Sequence, residues 1–160
     1  FREDFGMDAE TAEHALSVFR ERYTTVGLFE NKLYPGIEEM LQSLQKKGKR
    51  MAVATSKKEE TAVRILEHFG IAKYFEVIGG DNRAAGRDDK AKVIAYVLEQ
   101  MNAAQGDVVM VGDRKFDIEG AHAIGIPCIA VEYGYGDRAE FEAHGADCIA
   151  ATATEVAELF

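Results

Sequence analysis

Hydrophobic residues recur along this chain with two spacings, one typical of amphipathic helices and the other of buried strands. Apolar residues three and four positions apart predict a helix from Ala9 to Tyr23, capped by Asp8, and a second helix with Pro35 in its first turn. Short apolar runs bounded by polar residues or glycines predict strands. The runs that fit this description are Arg50–Thr55, Phe75–Ile78, Val108–Val111, Pro127–Val131 and Asp147–Ile149.

From the first of these strands onward, strands alternate with helical patterns. Ser56 is expected to cap the helix that follows the first strand, and another helix is expected to begin near Asp88. This alternation predicts an α/β fold in which a parallel sheet carries helices on both faces. The run Val108–Val111 is uniformly apolar, which predicts a strand buried on both faces.

Polar side chains come directly after two of the predicted strands. Thr55 and Ser56 end the first strand, and Asp113 follows the third. Because ligands of α/β sheets bind at the carboxyl ends of strands, we expect these side chains to share one edge of the sheet. Asp117 lies one helical turn beyond Asp113, and two acids at such a place favour Mg²⁺. The same two acids also fit a helix N-cap and a surface acid, and both interpretations stay open here.

A polar loop and a lysine precede the strand that leads to Asp113. The glycine-rich stretch Gly79 to Arg87 has the length and composition of a loop at a site. Lys90 falls in the first turn of the next helix, where a cation is poorly placed against the helix dipole unless an anion lies nearby. Lys92 competes for the same role, but its position two residues on points it to another side of the helix.

The composition and net charge of the chain argue against some kinds of binding partner and some locations. At 160 residues and 17.6 kDa the chain has room for one ordinary α/β core. A net charge of −9 argues against a nucleic acid polymer or an anionic membrane as the main partner. Nothing resembles a signal peptide or a membrane span. Cys128 and Cys148 lack the spacing of metal ligands and indicate buried free thiols, so we expect a cytoplasmic protein.

Three segments, taken in order, resemble the second, third and fourth motifs of haloacid dehalogenase-like (HAD) phosphatases. They are Ala52-Val53-Ala54-Thr55-Ser56-Lys57, the lysine of Arg87-Asp88-Asp89-Lys90, and Val111-Gly112-Asp113-Arg114-Lys115-Phe116-Asp117. The loop Gly134-Tyr135-Gly136 also resembles the phosphoglycolate phosphatase and 5′-nucleotidase-like branch of that family. The resemblance implies a Rossmann-like α/β core in residues 31–160 and the remnant of a helical cap in residues 1–30.

The resemblance also implies an activity, namely Mg²⁺-dependent hydrolysis of a phosphomonoester through an aspartyl-phosphate. Thr55 would hydrogen-bond the phosphoryl group, with Ser56 lending nearby backbone, and Lys90 would neutralise the charge on the nucleophile and the phosphoryl oxygens. Asp113 would ligate Mg²⁺ directly, and Asp117 would support the metal through water or hydrogen bonds. The implied partner is a small phosphorylated metabolite such as phosphoglycolate, a nucleoside 5′-monophosphate or a sugar phosphate. A homodimer is compatible with this interpretation.

The first motif of that family, Asp-x-Asp-Gly-Thr, does not occur in this sequence, which begins at Phe1 without an initiator Met. In the family this motif supplies the nucleophile and the acid/base from a central strand, between the strands that correspond here to Arg50–Thr55 and Val108–Val111. We expect one of three arrangements. The motif is disordered or excised from this sequence, another chain supplies it, or the two strands pair directly through a ladder between Val53 and Val109.

Other functional classes remain as alternatives. The chain as it stands fits a non-catalytic α/β domain that binds at most an anion or a metal. A signalling receiver domain also carries acids, a Thr and a Lys at strand ends, but there the acids come first, whereas Asp113 and Asp117 come last here. A dinucleotide-binding domain is disfavoured because no Gly-x-Gly-x-x-Gly follows a strand. The histidines have no partners at metal-ligand spacing and are expected to be structural: His14, His68, His122 and His144.

Overall fold

The computed structural model describes residues 5–160, which belong to two compact units, one up to Lys32 and the other Leu33–Phe160. The first unit contains helix α1 (Ala9–Thr25) and a short 3₁₀ turn. The predicted cap of α1 is confirmed, because a carboxylate oxygen of Asp8 accepts from the N–H of Thr11 at 2.8 Å. Residues 1–4 of the expected helical cap lie outside the described residues, and the assignment of this unit as a cap stays a prediction.

The second unit alternates strands and helices, as the sequence predicts. Its helices are α2 (Ile37–Lys46), α3 (Glu59–His68), α4 (Lys90–Met101), α5 (Lys115–Ala123), α6 (Arg138–Ala143) and α7 (Ala153–Glu158). Its strands are β1 (Ala52–Lys58), β2 (Val77–Asp81), β3 (Met110–Gly112), β4 (Cys128–Val131) and β5 (Cys148–Ala150). Within residues 5–160, no helix is both long enough and apolar enough to cross a bilayer.

Helices cover both faces of the sheet that contains β4, as the side chains of this strand show. Cys128 and Ala130 point to one side, into a core built mainly from α4, α5 and α6 (Ile94, Leu98, Ile118, Ala121 and Phe141). The alternate residues, Ile129 and Val131, point to the other side, where residues of α2 and α7 pack against them (Met40 and Val156). The predicted wound α/β fold is therefore confirmed.

The parallel strands form two sheets rather than one. Strand β1 pairs with β2, and β3 pairs with β4, which pairs with β5. No ladder joins β1 to β3 within the described part of the chain, so the direct pairing of Val53 with Val109 is wrong. Helix α4 packs against β1, β2 and α5, and it therefore connects the two sheets through side chains instead of backbone hydrogen bonds.

Strand β3 is less buried than its apolar sequence predicts. The residues from Val108 to Gly112 are half-buried, whereas all four residues of β4 are buried. The physical reason is the position of β3 at the edge of its sheet, where β4 is its one paired strand within the residues that the structure describes. The expected burial on both faces is therefore wrong for β3 and applies to β4.

Two local boundaries also differ from the sequence-based expectations. Ser56 does not cap a helix, because β1 continues to Lys58 and α3 begins at Glu59. The polar end of β1 stays extended because Lys58 pairs with Asp81 of β2, beyond an irregularity in the register that follows Ala54. Pro35 lies just before α2 rather than in its first turn. Between them, Gly36 is the N-cap with φ of 80°, a conformation that favours glycine.

The unpaired edge of β3 leads to a prediction about amide exchange. The N–H of Met110 donates to Pro127 O on the β4 side at 2.9 Å, and the next N–H, of Val111, points to the opposite edge because the groups alternate along a strand. We expect the Val111 amide of the 160-residue chain to exchange at least roughly fivefold faster than that of Met110, since a net hydrogen bond is worth about 1 kcal/mol. Hydrogen–deuterium exchange followed by NMR measures both, and equal protection would contradict an open edge.

Candidate active site

Lys90 links the two sheets at their carboxyl ends. It is the first residue of α4, and its Nζ donates to the carbonyl oxygen of Ala54 in β1 at 2.8 Å. The same Nζ lies 2.6 Å from Oδ1 of Asp117 in α5, and the lysine side chain is 13% exposed. The expected anion near this lysine is therefore a carboxylate of the protein itself, and Lys90 spans from β1 to the helix that follows β3.

Asp117 is buried, with 6% of its surface exposed, and both of its carboxylate oxygens are engaged. While Oδ1 faces Lys90, Oδ2 accepts from the backbone N–H groups of Asp113 and Arg114 at 3.0 Å each. These bonds fix the turn between β3 and α5, whose N-cap is Arg114. The alternative interpretation, with Asp113 as the cap and Asp117 as a surface acid, is therefore wrong on both residues.

Asp113 lies directly beyond β3 and is oriented by the loop that follows β4. Its Oδ2 accepts from the backbone N–H of Tyr135 at 2.8 Å. A Cβ at Gly134 would collide with the Asp113 carboxylate, so this loop approaches so closely only because residue 134 is glycine. Burial, and then the charge of Asp113, raise the pKa of Tyr133, whose ring packs 5.5 Å from that of Tyr34. Two tyrosines thus border this acid.

Thr55 lies next to the carbonyl that holds Lys90. Its Oγ1 accepts from the backbone N–H of Lys57 at 3.2 Å, and the residue is half-buried, whereas Ser56 is exposed. Lys92 is excluded from the group, because its Nζ pairs with Asp88 at 2.6 Å at the exposed start of α4. Contacts therefore connect the end of β1, Lys90, Asp117 and Asp113 in a single network.

Two glycines of α5 and β3 make this network possible. A Cβ at Gly112 would collide with the carboxylate of Asp117, and a Cβ at Gly120 would lie 2.6 Å from Cγ of Lys90. Gly120 was not singled out from the sequence, although a lone glycine inside a helical pattern is a signal that another group passes close to the backbone. The backbone contact of Tyr135 carries no such signal, because an N–H donor belongs to every residue except proline.

The oxygen donors at this edge fit a magnesium ion only in part. Asp113 offers a carboxylate at the carboxyl end of a strand, and Mg²⁺ is commonly bound by one or two carboxylates together with waters and phosphate oxygens. Asp117 is committed to Lys90 and to two backbone donors, which suits a supporting role rather than direct ligation. Among residues 5–160 no group of three acids, histidines or cysteines is placed to hold a metal.

Two parallel sheets flanked by helices, with a lysine and two acids at their carboxyl ends, define an α/β protein of the kind that binds ligands at strand ends. The chain belongs to the haloacid dehalogenase-like hydrolase family, whose model matches residues 3–131. The resemblance drawn from the three sequence motifs is therefore confirmed.

Relatives within this family carry several activities in their names. The chain is 46% identical to tyrosine-protein kinase PtkA of Mycobacterium tuberculosis (82% of this chain, 45% of that protein) and 36% identical to a 5′-nucleotidase of Pseudomonas aeruginosa (90% and 65%). A phosphoglycolate phosphatase of Pseudomonas savastanoi is 34% identical (81% and 47%). A solved structure described as a predicted phosphatase from Clostridium acetobutylicum matches with a TM-score of 0.90 at 38% identity (99% and 74%). The chain thus spans about half to two thirds of the length of these curated relatives.

The close approach of α5 to Lys90 gives a prediction about stability. Alanine is favoured over glycine inside a helix by about 1 kcal/mol, but a Cβ at Gly120 meets the lysine stem near its base, where it cannot swing away. Overpacking of this kind costs about 1 to 3 kcal/mol, so we expect Gly120→Ala to lower the free energy of unfolding. Urea denaturation measures this change.

Gly106 provides the matched control, because a Cβ there would meet no atom within 4 Å. Gly106→Ala should leave the free energy of unfolding within about 0.5 kcal/mol of the wild-type value. If both variants were equally stable, Lys90 would not lie against α5 as described.

Proposed function

We propose that this chain is part of a Mg²⁺-dependent phosphomonoester hydrolase whose nucleophilic aspartate lies outside these 160 residues. The observation that carries the proposal is the position of Lys90 between the carbonyl of Ala54 and the carboxylate of Asp117, at the carboxyl edge of two separate sheets. A cation held at the strand ends is suited to the negative charge of a phosphoryl group and of an attacking carboxylate. The family and its relatives named 5′-nucleotidase and phosphoglycolate phosphatase support the same activity.

The separation of β1 from β3 supports a strand contributed from outside this chain, either by the same protein or by another copy. Among residues 5–160 no strand pairs with the second edge of β1 or of β3, and a parallel strand between them would meet Lys90 at its carboxyl end. An aspartate at the end of that strand would lie beside Thr55 and Asp113. The aspartyl-phosphate route of the proposal depends on this residue.

Each residue of the site has a distinct role in the proposed reaction. Thr55 donates its hydroxyl to a phosphoryl oxygen, with the backbone of the exposed Ser56 beside it, and Lys90 neutralises charge on the nucleophile and the phosphoryl group. Asp113 is the direct magnesium ligand, while Asp117 holds both Lys90 and the turn that presents Asp113. Bound Mg²⁺ would offset negative charge on the phosphoryl oxygens. The reaction then depends on positioning and electrostatics.

The proposed substrate is a small phosphorylated metabolite, and the proposed location is the cytoplasm. Phosphoglycolate, nucleoside 5′-monophosphates and sugar phosphates are the classes to assay first, since two relatives carry names from this range. The net charge of −9 disfavours nucleic acid polymers and anionic membranes. Two free cysteines, one of them buried, fit a reducing compartment. Size-exclusion chromatography with light scattering tests whether the protein forms a homodimer.

The role of Asp113 can be tested in the complete protein with one substitution. Asp113→Asn removes the carboxylate charge at the end of β3 while leaving an oxygen that can still accept from Tyr135. We expect turnover to fall by at least about a hundredfold and the Mg²⁺ concentration for half-maximal activity to rise. Steady-state assays over a magnesium titration measure both effects.

Asp107→Asn is the control for that experiment, because Asp107 is an exposed acid in the 3₁₀ turn before β3. It should change turnover by less than about twofold, as expected for a solvated surface charge. Equal losses in the two variants would refute the assignment of Asp113.

The name of the PtkA relative motivates a test of a second acceptor, a tyrosine side chain in place of water. The same edge of the sheet would hold the phosphoryl group in either case, and the acceptor would be decided by residues elsewhere. We expect the complete protein to release inorganic phosphate from phosphomonoesters and not to transfer phosphate from ATP to tyrosine. Incubation with labelled ATP and a tyrosine-containing peptide distinguishes the two, and labelled peptide would favour the kinase.

A further inference from the structure

The guanidinium of Arg87 is buried close to the candidate site but belongs to none of the roles assigned above. Arg87 is 9% exposed and lies three residues before Lys90, in the loop between β2 and α4. Its Nη2 lies 2.7 Å from Oε2 of Glu59, and its guanidinium carbon lies 3.7 Å from the centroid of the Tyr96 ring. Its backbone N–H and carbonyl both pair with Asn82 across the loop, at 3.0 and 2.8 Å.

These contacts join the elements that carry Thr55 and Lys90. Glu59 is the first residue of α3 and directly follows β1, whereas Tyr96 lies on α4. The Oε2 atom of Glu59 also accepts from the backbone N–H of Gly80 in β2 at 3.4 Å, and the two residues lie so close that a Cβ on Gly80 would be 2.6 Å from the Cα of Glu59. Arg87 therefore links the residue that follows β1 to the middle of α4, the helix whose first residue, Lys90, reaches back to Ala54 of β1.

The burial of Arg87 is not explained by a gain in the stability of the fold. The Nε of Arg87 is buried and has no hydrogen-bond partner within residues 5–160. The Oδ1 of Asp81, at the end of β2, is also buried and has no hydrogen-bond partner among these residues. Buried polar atoms without partners destabilise a fold, and an apolar side chain of similar size would often stabilise the same site equally well. A guanidinium at this position is better explained by the two residues that it holds together, Glu59 and Tyr96.

We propose that Arg87 is a positioning residue, whose guanidinium between Glu59 and Tyr96 sets Lys90 against the carboxyl end of β1. This inference rests on the proposed function, because it assigns Arg87 to the alignment of the phosphoryl-binding groups. Arg87 acts through Lys90 and does not touch the substrate. The substitution Arg87→Lys would keep the charge but lose the planar guanidinium that pairs with Glu59 and lies on the ring of Tyr96.

The test compares Arg87→Lys with Arg50→Lys in the complete protein. Arg50 makes the equivalent link at the opposite ends of the same two strands, with Nη2 also 2.7 Å from a carboxylate oxygen, that of Glu76. Both variants are assayed for kcat and KM on a phosphomonoester and for urea stability. A further readout, the side-chain NMR signal of the Lys90 ammonium, reports its hydrogen bonds without any need for turnover.

We expect Arg87→Lys to lower kcat by on the order of ten- to a hundredfold, with KM changed by less than about threefold. The reason is that a displacement of a catalytic group such as the Lys90 ammonium by about 1 Å can slow a reaction about a hundredfold. The Lys90 ammonium signal should broaden through faster exchange with water. Arg50→Lys should leave kcat and the Lys90 signal unchanged. If the two variants differed only in stability and gave the same kcat, the inference would be overturned.

Failure of the proposed function has a different outcome. If the wild-type protein hydrolysed no phosphomonoester, the proposed function would fall, and the Lys90 signal would decide the role of Arg87 by itself. Loss of that signal in Arg87→Lys, with its retention in Arg50→Lys, would support positioning. An unchanged Lys90 signal in Arg87→Lys would refute it.

Discussion

The contact of Lys90 with Ala54 O and Asp117 Oδ1 is the interaction on which the arrangement of this molecule depends. Without a backbone ladder between β1 and β3, the two sheets are related through helix α4 and its first residue. A buried ammonium is unfavourable unless it is compensated, and here a carboxylate of α5 and a carbonyl of β1 compensate it. The same contacts that satisfy the lysine bring Thr55 and Asp113 to a common edge.

Glycine makes this approach of charged groups possible. Residues 112, 120 and 134 lie where a Cβ would collide with Asp117, Lys90 and Asp113, in that order. At each of these positions a charged side chain occupies the space that the side chain of another residue would need. At these three positions the close contacts are made by charged side chains, so hydrogen bonds and charge contribute to the order of this edge.

The sequence predicted those parts of the fold and site that follow from periodicity and from position at strand ends. The wound α/β order and the helix capped by Asp8 rest on such local patterns, whereas the grouping of Lys90 with Asp117 came from the resemblance to the HAD motifs. Ser56 is not a helix cap because β1 continues past it to the pairing of Lys58 with Asp81, and pairing with a distant strand is a long-range property. The buried position of Asp117 and the salt bridge of Arg87 with Glu59 depend on tertiary packing, and no spacing in the sequence encodes them.

A site held by side chains across two sheets has a consequence for its rigidity. Backbone ladders fix the relative height of strands, but β1 and β3 lack one, so their relative position depends on the flexible stem of Lys90 and on the packing of α4. A strand placed between them would restore ladders on both sides and add a third element to the same edge. Such a strand would form the backbone hydrogen bonds that β1 and β3 lack between them, and it would also bring its terminal residues to Lys90. The sheet and the site would therefore assemble in the same step.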